Sequence, residues 1–186
     1  MTLLGRVRGE YLRWKLYLSS GGRVVIGRGF CALGPLEVIG QGRIQIGDNV
    51  TIDYDPFRCR SVSLQTQGSR DALIEIGDNV SLLGTHISSG KHVVVGRDAW
   101  IEDARIMDSD FHETKPSGGR QTLSVENAQE VRIGDGASIA GRAMVLKGAK
   151  VGACTCVRPG AVVLRDAPDN VTVAGYPARL EKPAEK

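Results

Sequence analysis

Proton chemistry in this chain falls first to its three histidines, His86, His92 and His112, because imidazole is the side chain that titrates near neutrality. His112 stands in a polar segment. It lies in the stretch MDSDFHETKP, Met107 to Pro116, with Asp108, Asp110 and Glu113 close by and Glu126 farther along the same polar segment. A carboxylate beside an imidazole fixes its tautomer and stabilises the imidazolium, which suits a general base that must take a proton from a weak nucleophile such as an alcohol. Loop acids are ordinarily only solvated, and the spacing does not choose among the four. His86 and His92 read as surface or coil-edge polar residues. The cysteines, Cys31, Cys59, Cys154 and Cys156, show none of the spacings of a disulfide framework or a zinc site.

The elements that must position these groups carry a short period. Ile133, Ile139, Val145, Val151, Val157 and Val163 follow one another at steps of six, and four places after each stands Ala137, Ala143, Ala149, Thr155, Ala161 or Ala167. Six matches neither the helical 3.6 nor a hairpin ladder. It matches a β-solenoid, in which stacked coils bury an aliphatic column and small residues fit the corners. IGDNVTI, IGDNVSL and IGDGASI supply the Gly, Asp and Asn that corners need. The period recurs at Ile46/Ile52, Ile76/Leu82 and Val95/Ile101/Met107, then breaks, because Val95 to Ile133 is 38 residues, two out of phase. An insertion is therefore expected there, with His112 at its lip.

The composition agrees with this architecture. With 41% hydrophobic residues, 5% aromatic and 24 glycines in 186 residues, the core must be branched and small rather than aromatic. Residues 1–22 read as an amphipathic cap, Leu4, Val7, Tyr11, Trp14 and Leu18 marking one helical face. The alternative is that this basic, aromatic face lies on an anionic membrane and brings the protein to a lipid-linked substrate. Residues 23–168 read as the solenoid, with excursions at 53–73 and 113–130, and residues 169–186 as a carboxyl-terminal extension. The net charge of +3 is too small to argue for nucleic acid, but residues 1–28 hold six basic side chains against Glu10 alone. No apolar run is long enough to span a membrane or serve as a secretory segment, so a cytoplasmic protein is expected.

The repeat, the Asp-x-Asp-x-His segment and the ending VRPGAVVLRDAPDNVTVAGYPARL resemble the hexapeptide-repeat acyltransferases, the isoleucine-patch superfamily, near its maltose and galactoside O-acetyltransferase branch. The resemblance covers about residues 44–180 and implies a left-handed parallel β-helix, a homotrimer with active sites between subunits, and acetyl-coenzyme A in the groove. It implies transfer of acetyl to a saccharide hydroxyl, with His112 as general base and a carboxylate among Asp108, Asp110, Glu113 and Glu126 as its partner. It places the oxyanion donor at Ala140-Gly141 and coenzyme-binding cations at Arg165 and Arg179, with Arg158 beside them. Arg158 and Pro159 replace small turn residues of the family, Ser138 replaces an aromatic, and the branch's sugar-binding side chains are missing near Leu82, Gly84 and Ser89. These departures leave the acceptor open. An amine acceptor on an amino sugar or antibiotic is the nearest alternative. Farther off are a zinc carbonic anhydrase on the same fold, which needs three converging imidazoles, and a scaffold without chemistry.

Overall fold

The computed structural model describes residues 3–54, 61–110 and 125–181. After α1 (Leu3–Ser19), the first coil is β1 (Val24–Ile26), β2 (Cys31–Ala32) and β3 (Leu36–Ile39). The second is β4 (Arg43–Ile46), β5 (Thr51–Asp53) and β6 (Val62–Thr66), and the third β7 (Leu73–Ile76), β8 (Ser81–Leu83) and β9 (His86–Ser89). The fourth is β10 (His92–Val95), β11 (Trp100–Glu102) and β12 (Arg105–Met107), and the fifth β13 (Val131–Ile133), β14 (Ser138–Ile139) and β15 (Met144–Val145). The sixth is β16 (Lys150–Val151), β17 (Cys156–Val157) and β18 (Val162–Val163), followed by β19 (Thr172–Ala174) and β20 (Arg179–Leu180).

First strands of successive coils stack as one parallel sheet, A; second strands form sheet B, which β19 extends and β20 closes antiparallel; third strands form sheet C. The column inside is aliphatic, with Ile74, Ile87, Ile101, Ile106, Ile139 and Val157 all fully buried. Truncating one of these to Ala should cost about 2–5 kcal/mol, since the neighbouring coils cannot collapse into the gap.

The corner between sheets A and B explains the IGDN motif letter by letter. Its fourth residue adopts the left-handed region in seven successive corners, at Gly29, Asn49, Asn79, Asp98, Gly136, Cys154 and Asn170, with φ between 53° and 69°. The aspartate before it reaches back one coil: Asp48 Oδ1 accepts from the Arg28 N–H at 2.6 Å, Asp78 Oδ1 from Asp48 at 2.7 Å, and Asp169 Oδ1 from Ala153 at 2.7 Å. The glycine is steric. A Cβ on Gly134 would lie 2.5 Å from the backbone nitrogen of Ala153 in the next coil.

Two expectations about the repeat shift. Met107 is not the inward residue of its strand; Ile106 is, fully buried, while Met107 is half-buried. The corner at Asp103, with φ 45°, makes the step from the inward Ile101 to the inward Ile106 five residues, so the six-residue step slips by one. Coil length follows suit, with paired residues nineteen apart at Ile76 and Val95 but eighteen at Ile133 and Val151. The second shift concerns residues 53–73, which contain a proper strand, β6, paired with β3 and β9 and burying Val62 and Leu64.

The helix does sit over the first coil, but through the face opposite to the expected one. Gly5 and Gly9 are buried, and Leu12 and Leu16 pack on the core. A Cβ at Gly9 would fall 1.9 Å from the Phe30 carbonyl oxygen, so only a glycine face can approach the coil end this closely. Arg13 Nε donates to the Ile26 carbonyl at 3.0 Å and secures the contact. The stripe Leu4, Val7, Tyr11, Trp14 and Leu18 is left facing outward.

Candidate active site

The long insertion leaves the coil at Asp108 and returns before Val131, and β10 still pairs with β13 beneath it, Val95 opposite Ile133. His112 and Glu113 lie outside the described residues; the limbs that carry them do not. Asp108 is fully buried. Its Oδ1 accepts from the Gly90 N–H at 2.7 Å, and its Oδ2 from Ser89 Oγ at 2.9 Å and from the Lys91 and His92 N–H groups at 2.8 Å each. Four donors, three on Oδ2 and one on Oδ1, commit Asp108 to the turn at 89–92. Across the neck, the Gln129 N–H donates to the Asp108 carbonyl at 2.8 Å, and Val125 packs on Gly68 and Gly90.

Asp110, two places before His112 in the chain, is exposed, forms an ion pair with Lys147 and accepts from Asn127 Nδ2 at 3.0 Å. Glu126 is exposed on the returning limb. Of the acids expected near His112, Asp108 thus braces the neck from below, while Asp110 and Glu126 flank the neck on the surface.

At the candidate oxyanion turn, the two residues part ways. The Ala140 N–H is bound to the Val157 carbonyl at 2.9 Å, within the coil-to-coil ladder. Ala143 N–H donates to the Ala140 carbonyl at 3.2 Å and Arg142 has φ 63°, which makes 140–143 a tight turn with Gly141 at its second place. Among the described residues no acceptor faces the Gly141 N–H. One coil on, Pro159 occupies the same place in the turn Arg158 to Ala161 and has no N–H to offer.

The three arginines are exposed at the carboxyl-terminal end of the prism. Arg158 Nε pairs with Glu181 at 2.9 Å, a bond that raises the guanidinium pKa above its ordinary value. Arg165 follows β18, and the guanidinium of Arg179 in β20 donates to the neighbouring Ala178 carbonyl at 3.2 Å. Among the described residues neither of the last two forms an ion pair.

The outer face of sheet C carries a feature that sequence reading missed. Glu37, Ser63, His86 and Arg105 are direct neighbours across four strands. With Gln65 they line a shallow cleft of about 360 Å³. His86 Nε2 lies 2.7 Å from Ser88 Oγ, and burial, then the Arg105 charge, push its pKa below the ordinary value, so it is neutral at pH 7. These residues stand 26, 23 and 19 apart along the chain. No fixed period connects them; counting across the register once the coil lengths are known does. His92 points from sheet A instead, between Glu75 Oε2 at 2.6 Å and Glu130 Oε2 at 3.0 Å. The bond from Arg132 holds the Glu130 carboxyl below its ordinary pKa, against the opposing effect of burial. His86 and His92 occupy different faces of the prism, which does not fit a site where three imidazoles converge on one metal ion.

No family model matches the chain. It is 35% identical over 126 residues to the serine acetyltransferase of Escherichia coli K12, an overlap of 66% of this chain and 43% of that protein. It is 36% identical over 98 residues to serine acetyltransferase 4 of Arabidopsis thaliana, covering 52% of this chain and 26% of the relative. The chain therefore spans less than half the length of these relatives. Among solved structures it is similar to the polysialic acid O-acetyltransferase OatWY, with TM-score 0.66 and 17% identity over 86% of this chain and 73% of the other. It is also similar to AntD, an N-acyltransferase from Bacillus cereus in complex with dTDP and 3-hydroxybutyryl-CoA, with TM-score 0.67 and 17% identity over 90% of this chain and 87% of the other. Repeat, three-sheet coil and these likenesses together make the chain a hexapeptide-repeat, left-handed parallel β-helix, similar in fold to these two solved structures.

Proposed function

We propose that the protein is an acetyl-coenzyme A-dependent O-acetyltransferase acting on a saccharide hydroxyl of the surface-polysaccharide precursor class, as a cytoplasmic homotrimer with sites between subunits. The observation that supports the reading is the braced neck: Asp108, with four donors on its carboxylate, anchors the chain at the end of β12, four residues before His112 in the sequence, and Arg105 of β12 lines the polar cleft. The His112 imidazole takes the hydroxyl proton as the oxygen attacks the thioester carbon. The tetrahedral oxyanion is met by the Gly141 N–H, one donor of this kind being worth roughly 10²–10³-fold in rate. Collapse breaks the carbon–sulfur bond, and the departing thiolate takes its proton from the imidazolium. Arg165 and Arg179 suit the phosphates of the coenzyme. The cleft on sheet C, with a neutral His86, a serine, a glutamine and one charge of each sign, suits the hydroxyl-rich acceptor.

The test is His112→Ala, assayed for acetyl transfer with a panel of sugar alcohols, amino sugars and L-serine, the acceptor named in the relatives. Turnover should fall by roughly 10²-fold or more, with the coil intact by circular dichroism. Near-normal turnover removes His112 as base, and a strict preference for amines replaces O-transfer by N-transfer.

A further inference from the structure

The outward face of α1 is an apolar feature the proposed chemistry does not use. Leu4 is 78% exposed, Trp14 57% and Leu18 71%, with Leu3, Val7 and Tyr11 beside them. At 100° per residue these six fall in one arc on the side opposite Gly5, Gly9, Leu12 and Leu16. The arc is edged by cations on both sides, Arg8 and Lys15 along one border and Arg6 and Arg13 along the other, and all but Arg13 are exposed. Lys15 lies over the Tyr11 ring at 5.8 Å and Arg13 over Trp14 at 5.6 Å, so the charges sit against the aromatic flanks of the stripe. The helix's one acid, Glu10, is paired with Arg13 at 3.1 Å and adds no net negative charge. Beyond Trp14 and Tyr17 the apolar surface continues across a notch to Val25 and Ile26 of β1.

We propose that α1 docks the protein on an anionic lipid surface, lying in the plane of the headgroups with Leu4, Val7, Tyr11, Trp14 and Leu18 below them and Arg6, Arg8 and Lys15 at the phosphates. The charge pattern selects this occupant. A stripe of about five large apolar side chains bordered by cations is what an interfacial helix requires, and each basic side chain near such a surface adds about fivefold to binding. A second copy of the same face would instead set Arg6, Arg8 and Lys15 against their own kind with no acid to match them. The glycine face is what permits the orientation, since it lets the helix hold the coil through its backbone and leaves its large residues outside. No helix among the described residues is long and apolar enough to cross a membrane, so the contact is one of surface attachment.

The experiment uses the full chain with vesicles of phosphatidylcholine, with or without a one-third share of phosphatidylglycerol, read by co-sedimentation and, in a Trp100→Phe background, by Trp14 fluorescence. Binding should appear with the anionic vesicles alone, with a blue shift of Trp14. It should weaken as salt rises from about 0.1 to 1 M and the screening length falls from ~10 to ~3 Å. Arg6→Gln/Arg8→Gln/Lys15→Gln should reduce it by roughly 10²-fold, and Leu4→Ser/Leu18→Ser should abolish it. Both variants change exposed side chains, so melting temperature and acetyl transfer to a soluble acceptor should be unchanged. Three results overturn the proposal: no preference for anionic vesicles, binding untouched by the triple variant, or loss of a self-association by the serine variant in sedimentation, which would assign the stripe to a second copy of the chain.

Discussion

Replacing Asp108 by Asn keeps the size of the side chain and removes its charge at the one buried carboxylate that joins two coils and the neck of the insertion. In the better amide orientation, the oxygen takes the place of Oδ2 and keeps Ser89 Oγ and the Lys91 and His92 N–H groups, while the NH₂ meets the Gly90 N–H, now 2.7 Å from a donor instead of an acceptor. One orphaned buried donor costs about 1–3 kcal/mol, and three bonds demoted from charge-assisted to neutral lose roughly 1 kcal/mol each. The total is about 4–6 kcal/mol, or a fall in melting temperature of roughly 8–24 °C for a chain of this size. The loss should be local first. Amide hydrogen exchange at Gly90, Lys91, His92 and Gln129 should accelerate well before that of Ile139 or Val157, and turnover should fall because the limb bearing His112 is no longer held. A melting temperature within about 2 °C of the parent's, with protection at 90–92 unchanged, would refute this account of Asp108.

Other outcomes follow from the same geometry. Gly141→Pro keeps a turn that Pro159 shows to be proline-compatible one coil on but deletes the N–H, so kcat should drop by roughly 10²–10³-fold at unchanged stability, while Gly141→Ala, which retains the N–H, should lose far less. Arg165→Ala and Arg179→Ala should raise KM for acetyl-coenzyme A several-fold with little change in kcat, and Arg158→Ala less, its guanidinium being held by Glu181. His86 is neutral in the fold because burial and then Arg105 lower its pKa. The unfolded chain therefore binds the proton more readily, and the contribution of His86 is present above its unfolded pKa of about 6.5 and lost as pH falls below it. His86→Asn should flatten that acid limb in pH-dependent denaturation, and Arg105→Gln should move the His86 NMR titration back toward the ordinary value.

The repeat was legible without coordinates because every six-residue step demands the same thing of the chain. An inward aliphatic, a glycine with no room for a Cβ and an Asp–Asn corner are local requirements met by residue type, so Ile139, Gly134 and Asp78 could be placed from spacing alone. The insertion was legible for the same reason, as a break of phase between Val95 and Ile133. Phase itself was less secure. Ile106 rather than Met107 faces inward because one corner is a residue shorter, a choice between two apolar neighbours that composition does not make.

What spacing determined, then, was the column and the corners; what tertiary structure decided was how each surface group is used. Asp108 looked like any acid near His112 until the turn at 89–92 was seen to fill its oxygens. Ala140 and Gly141 looked equivalent until the ladder to Val157 took one N–H and left the other. The helix shows the limit most clearly. Its apolar stripe was readable, yet the face that enters the fold is the glycine one, because the approach to Phe30 is set by backbone distance, and a hydrophobic pattern says which residues share a face but not which face finds a partner.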